Sequence, residues 1–395
     1  MGAGGYRFGL EGEYLLVEAS SFRPLWHDEL SFSRLNVLLE SIRFEPLLEG
    51  LPLDGLELDP PHRKLMPYYV EGYPLADPEL TTYVDVLPKG IEIRTPVCPD
   101  LETCLRVYES LYQGLQEALA DAGYRAVGLG QHPTAGDFWG PQNHKRHDWW
   151  QWALRVASTY GPDLNLSVPE AQKPGFDWEA LQRRANYYGP ALVAFSLNAP
   201  VKEGALWRPR GRQGLSVRTY RRSPFGPMLA YHPKEGGRVE FKSFDMPTDR
   251  RDFRPFFLLW LWLMADAKAP GRAEDQDRIY DLGQVARFGW EAEEISARAE
   301  EALDRAETVV AALGLDPSPL GRLRQRLGQR RAPADALIRQ VEADSSVPGL
   351  LHYLDWVAQA ADAPQPAQQG PASGNGRARS QRDSHEESTA STTRP

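Results

Sequence analysis

Residues 8–15 read Phe-Gly-Leu-Glu-Gly-Glu-Tyr-Leu, and the alternation in this stretch carries the fold prediction. Successive side chains of a β-strand point to opposite faces, so Glu11 and Glu13 share one face while Leu10 and Tyr14 point into a core. A rise of roughly 3.3 Å per residue sets the two glutamates about 7 Å apart. The stretch therefore predicts a half-buried strand with an acidic outer face.

Three more stretches alternate in the same way: residues 90–95 (Gly-Ile-Glu-Ile-Arg-Thr), 163–168 (Asp-Leu-Asn-Leu-Ser-Val) and 238–242 (Arg-Val-Glu-Phe-Lys). If the four strands share a sheet, one face carries Glu11, Glu13, Glu92, Asp163, Asn165 and Glu240. Carboxylates that converge in this way repel one another unless hard cations bind among them, which predicts a magnesium site. For any single strand, a solvated sheet face is the commoner explanation.

Composition excludes several classes of function. The net charge of −9 argues against general binding of nucleic acid. Cys98 and Cys104 are too few for a disulfide framework and are expected to be reduced structural thiols. The N-terminus lacks a signal-peptide pattern, and the ten-residue apolar run 256–265 predicts a buried helix, because a membrane span needs about 20 residues. We expect a soluble, cytoplasmic protein, and its oligomeric state stays open.

The chain is expected to form one catalytic domain over residues 1–362, followed by a disordered tail. Residues 363–395 contain no aromatic or branched apolar side chain that could offset the entropy of ordering. Within the domain, Asp100 is expected to cap a helix over 101–122. Residues 19–80 look like irregular loops with one short helix near 32–41, and Gly-Pro at 189–190 predicts a break between helices at 177–188 and 191–197.

Taken in order, several segments resemble the glutamate–cysteine ligase and carboxylate–amine ligase family of plants and many bacteria. Residues 8–14 are similar to its opening strand, 92–97 to its acidic strand ending in Thr-Pro, and 128–133 to its next strand. Residues 197–200 resemble its Asn-Ser-Pro helix end and 239–245 its last acidic strand. The resemblance implies a glutamine-synthetase-like α+β fold: a largely antiparallel sheet with a concave active-site face, and helices packed on the other face.

The resemblance also implies the chemistry. ATP would phosphorylate a substrate carboxylate, that of the glutamate γ-carboxyl by default, and an amine such as that of cysteine would attack the acyl phosphate. The expected Mg²⁺ ligands are Glu11, Glu13, Glu92 and Glu240. The residues expected to contact the cofactor are Arg94, Asn165 and Asn198. The cations expected to neutralise developing charge are Arg218, Arg221 and Lys242, the first two from a segment with six arginines between 208 and 222 that a solvated loop would also explain.

Two positions depart from the family pattern. Asp163 stands where relatives carry Gln or His, and Lys242 stands where the last strand usually has Arg. These departures leave two alternatives to a ligase. One is a phosphotransferase on the same fold, and the other is a non-catalytic regulatory relative.

Overall fold

The computed structural model describes residues 3–50, 67–76, 83–136, 157–224 and 226–362. Contacts divide the chain into a compact unit, Met1–Ala361, and a C-terminal segment, Asp362–Pro395. The predicted tail, residues 363–395, lies outside the described residues, so its prediction stands on composition alone.

Nine strands and ten helices are present in the described residues. The strands are β1 (Phe8–Glu18), β2 (Tyr68–Ala76), β3 (Tyr83–Arg94), β4 (Tyr124–Val127), β5 (Pro162–Ser167), β6 (Val201–Lys202), β7 (Ala205–Leu206), β8 (Leu229–His232) and β9 (Arg238–Phe241). The helices are α1 (Phe32–Ser41), α2 (Leu101–Asp121), α3 (Trp178–Ala194), α4 (Val217–Arg222), α5 (Phe253–Ala265), α6 (Asp275–Phe288), α7 (Ile295–Ala312), α8 (Leu320–Gln329), α9 (Pro333–Asp344) and α10 (Val347–Asp362).

One antiparallel sheet organises the fold, with the strand order β2-β3-β1-β5-β9-β8, and β4 pairs with the second half of β1. The four acidic strands predicted from the sequence are β3, β1, β5 and β9, and they lie next to one another. This confirms the predicted α+β class with its largely antiparallel, curled sheet. Residues directly opposite each other in an antiparallel pair share a face, so the register decides which acids meet.

The apolar side chains of β1 face the helices. Phe8 and Tyr14 are buried; the Phe8 ring packs edge-on against Phe257 of α5 at 5.9 Å, and Tyr108 of α2 donates a hydrogen bond of 2.9 Å to the Tyr14 hydroxyl. Helix α2 begins where expected, because the Asp100 carboxylate accepts from the Thr103 amide at 2.7 Å. The helices therefore cover one face of the sheet and leave the acidic face for chemistry.

Two local predictions were wrong. The expected helix break at 189–190 is absent, and α3 runs through both residues. Gly189 packs against Met228. Pro190 is buried in an apolar turn of the helix, whose packing offsets the hydrogen bond that proline cannot donate. Residues 68–76 are not loop but strand β2, and their Tyr-Tyr-Val-Glu-Gly-Tyr pattern was the available signal.

Two smaller expectations concern the thiols and the apolar run. Cys98 and Cys104 are free and buried, as expected of structural thiols. The apolar run 256–265 lies in α5, whose residues from Phe253 to Met264 are buried apart from Arg254. Among the described residues, no helix has the length and apolar content that crossing a bilayer requires.

Candidate active site

Six carboxylates on the open face of the sheet form two clusters. The first, which we call the Glu11 cluster, consists of Glu11, Asp163 and Glu240, and the second, the Glu13 cluster, consists of Glu13, Glu71 and Glu92. In each cluster the three residues offer carboxylate oxygens that lie within 4.8 Å of one another.

Strand register produces both clusters. Glu11 lies opposite Asp163 of β5, and Glu13 lies opposite Glu92 of β3. Glu240 lies opposite Asn165, two residues from Asp163 on the same face. Three oxygen ligands in such proximity are the donors that Mg²⁺ prefers, so the chemistry of the site fits a hard divalent cation.

The four glutamates predicted as metal ligands are thus divided, two to each cluster. Asp163 completes one of them; the sequence placed it on this face but did not assign it to the metal. Glu71 completes the other, and it was missed because residues 19–80 were interpreted as loop. The assignment of these residues to a metal stays a prediction.

Protein cations already contact both clusters. In the Glu13 cluster the Lys89 ammonium lies 2.9 Å from Glu13 Oε1 and 3.7 Å from Glu71 Oε1, and it also donates to the Thr159 carbonyl at 2.8 Å. In the Glu11 cluster the Lys242 ammonium contacts Asp163 and lies 2.9 Å from Glu240 Oε2. Lys242 therefore reaches the acidic face, as the sequence predicted.

A β-bulge brings Lys89 to this face. The register of β2 and β3 shifts between Glu71 and Gly72, where Gly90 and Pro88 are the respective partners, so Lys89 is the extra residue. Gly90 is required there, because a Cβ would collide with the Tyr14 carbonyl oxygen. An isolated glycine within a strand pattern was the signal that the sequence offered for this bulge.

The carboxylates and cations perturb each other strongly. Burial raises the pKa of Asp163, an effect that Lys242 opposes and that the charges of Glu240 and Glu11 reinforce. Burial alone would also raise the pKa of Glu240, but His232, Lys242 and Arg238 together hold it well below its usual range. Glu13 behaves likewise: burial would raise its pKa, and Lys89 lowers it overall. Both glutamates are therefore held as carboxylates.

A cavity of about 540 Å³ opens beside the Glu11 cluster. Its polar lining includes Arg7, Glu11, Arg94, Asn165, Ser167 and Arg238. Arg94 is only 8% exposed, and its Nη2 lies 3.4 Å from Glu11 Oε1. Its Nε and Nη1 atoms are buried and have no hydrogen-bond partner among the described residues, so this guanidinium is suited to an anion entering the cavity.

Arg238 is a site residue that the sequence reasoning missed. It donates 2.8 Å to the Asn165 side-chain carbonyl, contacts Glu240, and lies 3.8 Å from Glu11. The period-2 spacing from Glu240 placed it on the acidic face, and this spacing was the signal that could have found it. Asn165 itself lines the cavity beside the Glu11 cluster, consistent with the position predicted for it.

The remaining predicted residues lie behind or beside this face. Arg218 is 2% exposed and donates to the carbonyls of Lys242 and Ser243, each at 3.1 Å. Arg221 is half-buried and donates to the Ser158 hydroxyl at 2.8 Å. Asn198 is not brought to the acidic face: its side chain accepts from the Gly130 amide at 2.9 Å and donates to the Met246 carbonyl, so it ties loops together.

Three solved structures share this architecture. A glutamate–cysteine ligase from Francisella tularensis in complex with AMP is 11% identical, with a TM-score of 0.61 over 92% of this chain and 90% of that one. The complex of the prokaryotic ubiquitin-like protein Pup with its ligase PafA gives 0.51 at 11% identity, over 88% and 71%. At such identities the likeness shows a shared fold.

A bifunctional glutathione synthetase from Pasteurella multocida gives a TM-score of 0.56 at 13% identity over 90% of this chain, which spans about half (52%) of that protein. Curated protein sequences yield no match. The sequence profile of glutamate-cysteine ligase family 2 matches residues 7–216, more than half of the chain. The protein belongs to this family.

Proposed function

We propose that the protein is an ATP-dependent carboxylate–amine ligase that activates a carboxyl group, by default the γ-carboxyl of glutamate, as an acyl phosphate. The observation that carries the proposal is a cavity beside the Glu11 cluster into which a buried, incompletely bonded Arg94 faces, with the Glu13 cluster next to it on the same sheet face. The AMP bound to the structurally similar Francisella tularensis ligase supports a nucleotide as a ligand of this fold.

The proposed reaction has two chemical steps. An oxygen of the substrate carboxylate attacks the γ-phosphorus of ATP, and ADP leaves, which gives the acyl phosphate. The amine then attacks the acyl carbon, inorganic phosphate leaves, and the nitrogen loses a proton to form the amide. The carboxylate face would supply ligands for Mg²⁺, which would offset the negative charge of the phosphate groups.

The protein's own cationic side chains supply the remaining positive charge at the site. Arg94 and Arg238 both line the cavity beside Glu11. Arg94 is placed to bind phosphate oxygens through its Nε and Nη1 donors, whereas Arg238, whose guanidinium already donates to Glu235, Asn165 and Glu240, contributes its positive charge. Lys242 and Arg221 are proposed to neutralise negative charge on the transferred phosphoryl group, because both are cationic and lie on or beside the carboxylate face. Arg218 is proposed to act through Lys242, because its bond to the Lys242 carbonyl fixes the end of β9.

The two departures from the family pattern contact each other. Asp163 and Lys242 form an ion pair across β5 and β9, so the negative charge that Asp163 adds to the face has a cationic partner. This pairing favours a working enzyme over a non-catalytic relative.

The test is phosphate release from ATP with glutamate and a panel of amines, followed by mass spectrometry of the product. We expect release that depends on both the carboxylate and one class of amine, with an amide as product. Glu13→Gln is the matched inactive control. ATP consumption that yields a phosphorylated acceptor and no amide would establish the phosphotransferase instead, and the absence of ATP binding by calorimetry would establish the non-catalytic relative.

A further inference from the structure

A basic and aromatic surface lies beside α4 and takes no part in the reaction described above. The rings of Trp207 and Tyr220 lie 5.3 Å apart, and the Arg287 guanidinium lies 5.8 Å from the Tyr220 ring. At the end of α6, the Phe288 ring lies 5.2 Å from the Arg287 guanidinium and 4.8 Å from that of Arg212. These contacts join three chain segments into one patch. We call it the arginine surface and define it by Trp207, Arg208, Arg210, Arg212, Tyr220 and Arg287.

The arginine surface carries positive charge that the described residues do not neutralise. Arg208 and Arg210 are exposed, and neither they nor Arg287 forms an ion pair with a carboxylate of the described residues. Glu291 contacts the surface by pairing with Arg212, and both of these side chains are more than half exposed, so water screens the pair. Four arginines against one glutamate leave three positive charges, in a chain whose net charge is −9.

The stacked rings and the local backbone favour a binding surface over a solvated loop. A guanidinium that lies on an aromatic ring has fewer rotamers to lose, and its N–H edge is still able to bind a carboxylate. The Tyr220 ring is 43% exposed and offers apolar area next to this edge. Arg210 has a φ of 55°, in the left-handed region that strains a residue with a side chain, and such strain concentrates at functional sites.

A continuous set of contacts connects the arginine surface with the Glu13 cluster. Arg221, the residue after Tyr220 in α4, donates to the Ser158 hydroxyl at 2.8 Å. The carbonyl of the next residue, Thr159, accepts from Lys89 at 2.8 Å, and Lys89 contacts Glu13. None of these residues lines the cavity beside the Glu11 cluster. The surface therefore approaches the carboxylate face away from the cavity that Arg94 enters.

We propose that the arginine surface binds an acidic peptide, and that this peptide supplies the amine that attacks the acyl phosphate. Its carboxylates pair with Arg208, Arg210 and Arg287, and an apolar side chain packs on Tyr220. A short peptide contacts this surface alone, whereas the net charge of −9 repels a long polyanion such as nucleic acid.

The bond chemistry is that of the proposed function, on which this step rests. The peptide nitrogen bonds to the acyl carbon as the bond from that carbon to the phosphate oxygen breaks. Phosphate leaves with the electron pair, and the proton from nitrogen goes to solvent. The carboxylates of the peptide are unchanged.

The first experiment measures binding without ATP or the carboxylate substrate. Fluorescence anisotropy compares a labelled glutamate-rich peptide that contains one lysine with its glutamine counterpart. We expect the acidic peptide to bind about tenfold more tightly, and added salt to weaken it. Arg210→Gln/Arg287→Gln should remove the preference. The matched control, Arg330→Gln/Arg331→Gln, removes two exposed arginines near the end of α8 and should keep it.

The second experiment adds ATP and the carboxylate substrate and measures amide formation by mass spectrometry. In Arg210→Gln/Arg287→Gln, kcat/KM for the acidic peptide should fall about tenfold, while kcat/KM for a small amine stays at the wild-type value. Circular dichroism melting verifies that each variant is folded.

Four results would each overturn the proposal. They are equal affinity of the wild type for the two peptides, an unchanged preference in the folded Arg210→Gln/Arg287→Gln variant, an equal loss in the control, and tighter binding of single-stranded DNA than of the acidic peptide. A wild-type protein that joins small amines but not the bound peptide would overturn the peptide as acceptor. Because binding is measured without ATP, its result is independent of the phosphate-release assay.

Discussion

Replacing Arg218 with methionine removes a buried charge whose partner is more deeply buried still. The guanidinium is 2% exposed and lies 3.7 Å from Asp245, which is fully buried. Burial raises the pKa of Asp245 and Arg218 opposes that rise, so the variant leaves a carboxyl group with a higher pKa and two backbone carbonyls without their donor. Methionine retains most of the apolar stem, so the loss reports on the charge and its hydrogen bonds.

Breaking a buried ion pair by removing one partner costs about 3–5 kcal/mol. A compact unit of this size has an unfolding entropy of about 0.75 kcal/mol per kelvin, so the melting temperature is expected to fall by about 4–7 °C. The matched control is Arg324→Met on α8, which removes contacts to Asp304 and Glu307 at a partly exposed site. Such pairs contribute at most about 1 kcal/mol, so its melting temperature is expected to fall by about 1 °C.

The assay is thermal unfolding followed by circular dichroism, with turnover measured on the same samples. The sequence alone predicts that Arg218 neutralises developing charge, so that its loss would damage turnover far more than stability. The structure predicts that both fall, because the same side chain holds the end of β9. An Arg218→Met variant with unchanged melting temperature and a large loss of turnover would refute this reasoning.

Three further predictions concern Glu13, the buried imidazole of His132, and residues 363–395. Glu13→Gln should abolish amine-dependent phosphate release while leaving the melting temperature within a few degrees of wild type; unchanged turnover at saturating Mg²⁺ would exclude the carboxylate face as the metal site. Burial lowers the pKa of His132 to about 4, although the hydrogen bond from its ring to the Leu25 carbonyl opposes that shift; the Nδ1 atom accepts from the Ala135 amide, which only the unprotonated nitrogen can do. Its folded pKa lies below its unfolded value of about 6.5, so its contribution is complete above pH 6.5 and is lost as pH falls to 4. The difference in urea-unfolding free energy between wild type and His132→Gln should therefore shrink over that range, and a constant difference would contradict the assignment. Deleting residues 363–395 should change neither melting temperature nor turnover, because the segment has no large apolar side chain to pack; a drop of several degrees would show that it does pack.

The sequence determined four of the strands of the site, β1, β3, β5 and β9, and the face on which their acids lie. This was possible because side-chain alternation is a local property of the backbone: a carboxylate flanked by apolar neighbours fixes its own face without knowledge of any partner. Glu11, Glu13, Glu92 and Glu240 were found in this way, and the ordered segments that resemble one ligase family added the fold and the reaction class.

Only the tertiary structure decided which carboxylates meet and which cations accompany them. The division into two clusters depends on the register between strands far apart in sequence, and a shift of one residue would turn every side chain to the other face. Lys89 reaches the face through a bulge, Glu71 through strand β2 where the sequence predicted loop, and Asp163 meets Lys242 across two strands. Arg94 and Arg218 illustrate the same limit: both are arginines in polar stretches, yet burial leaves one with unsatisfied donors facing a cavity and bonds the other to backbone carbonyls. The charge and spacing of these side chains can be read from the local sequence. The partners and burial of the same side chains depend on how distant segments of the chain pack together.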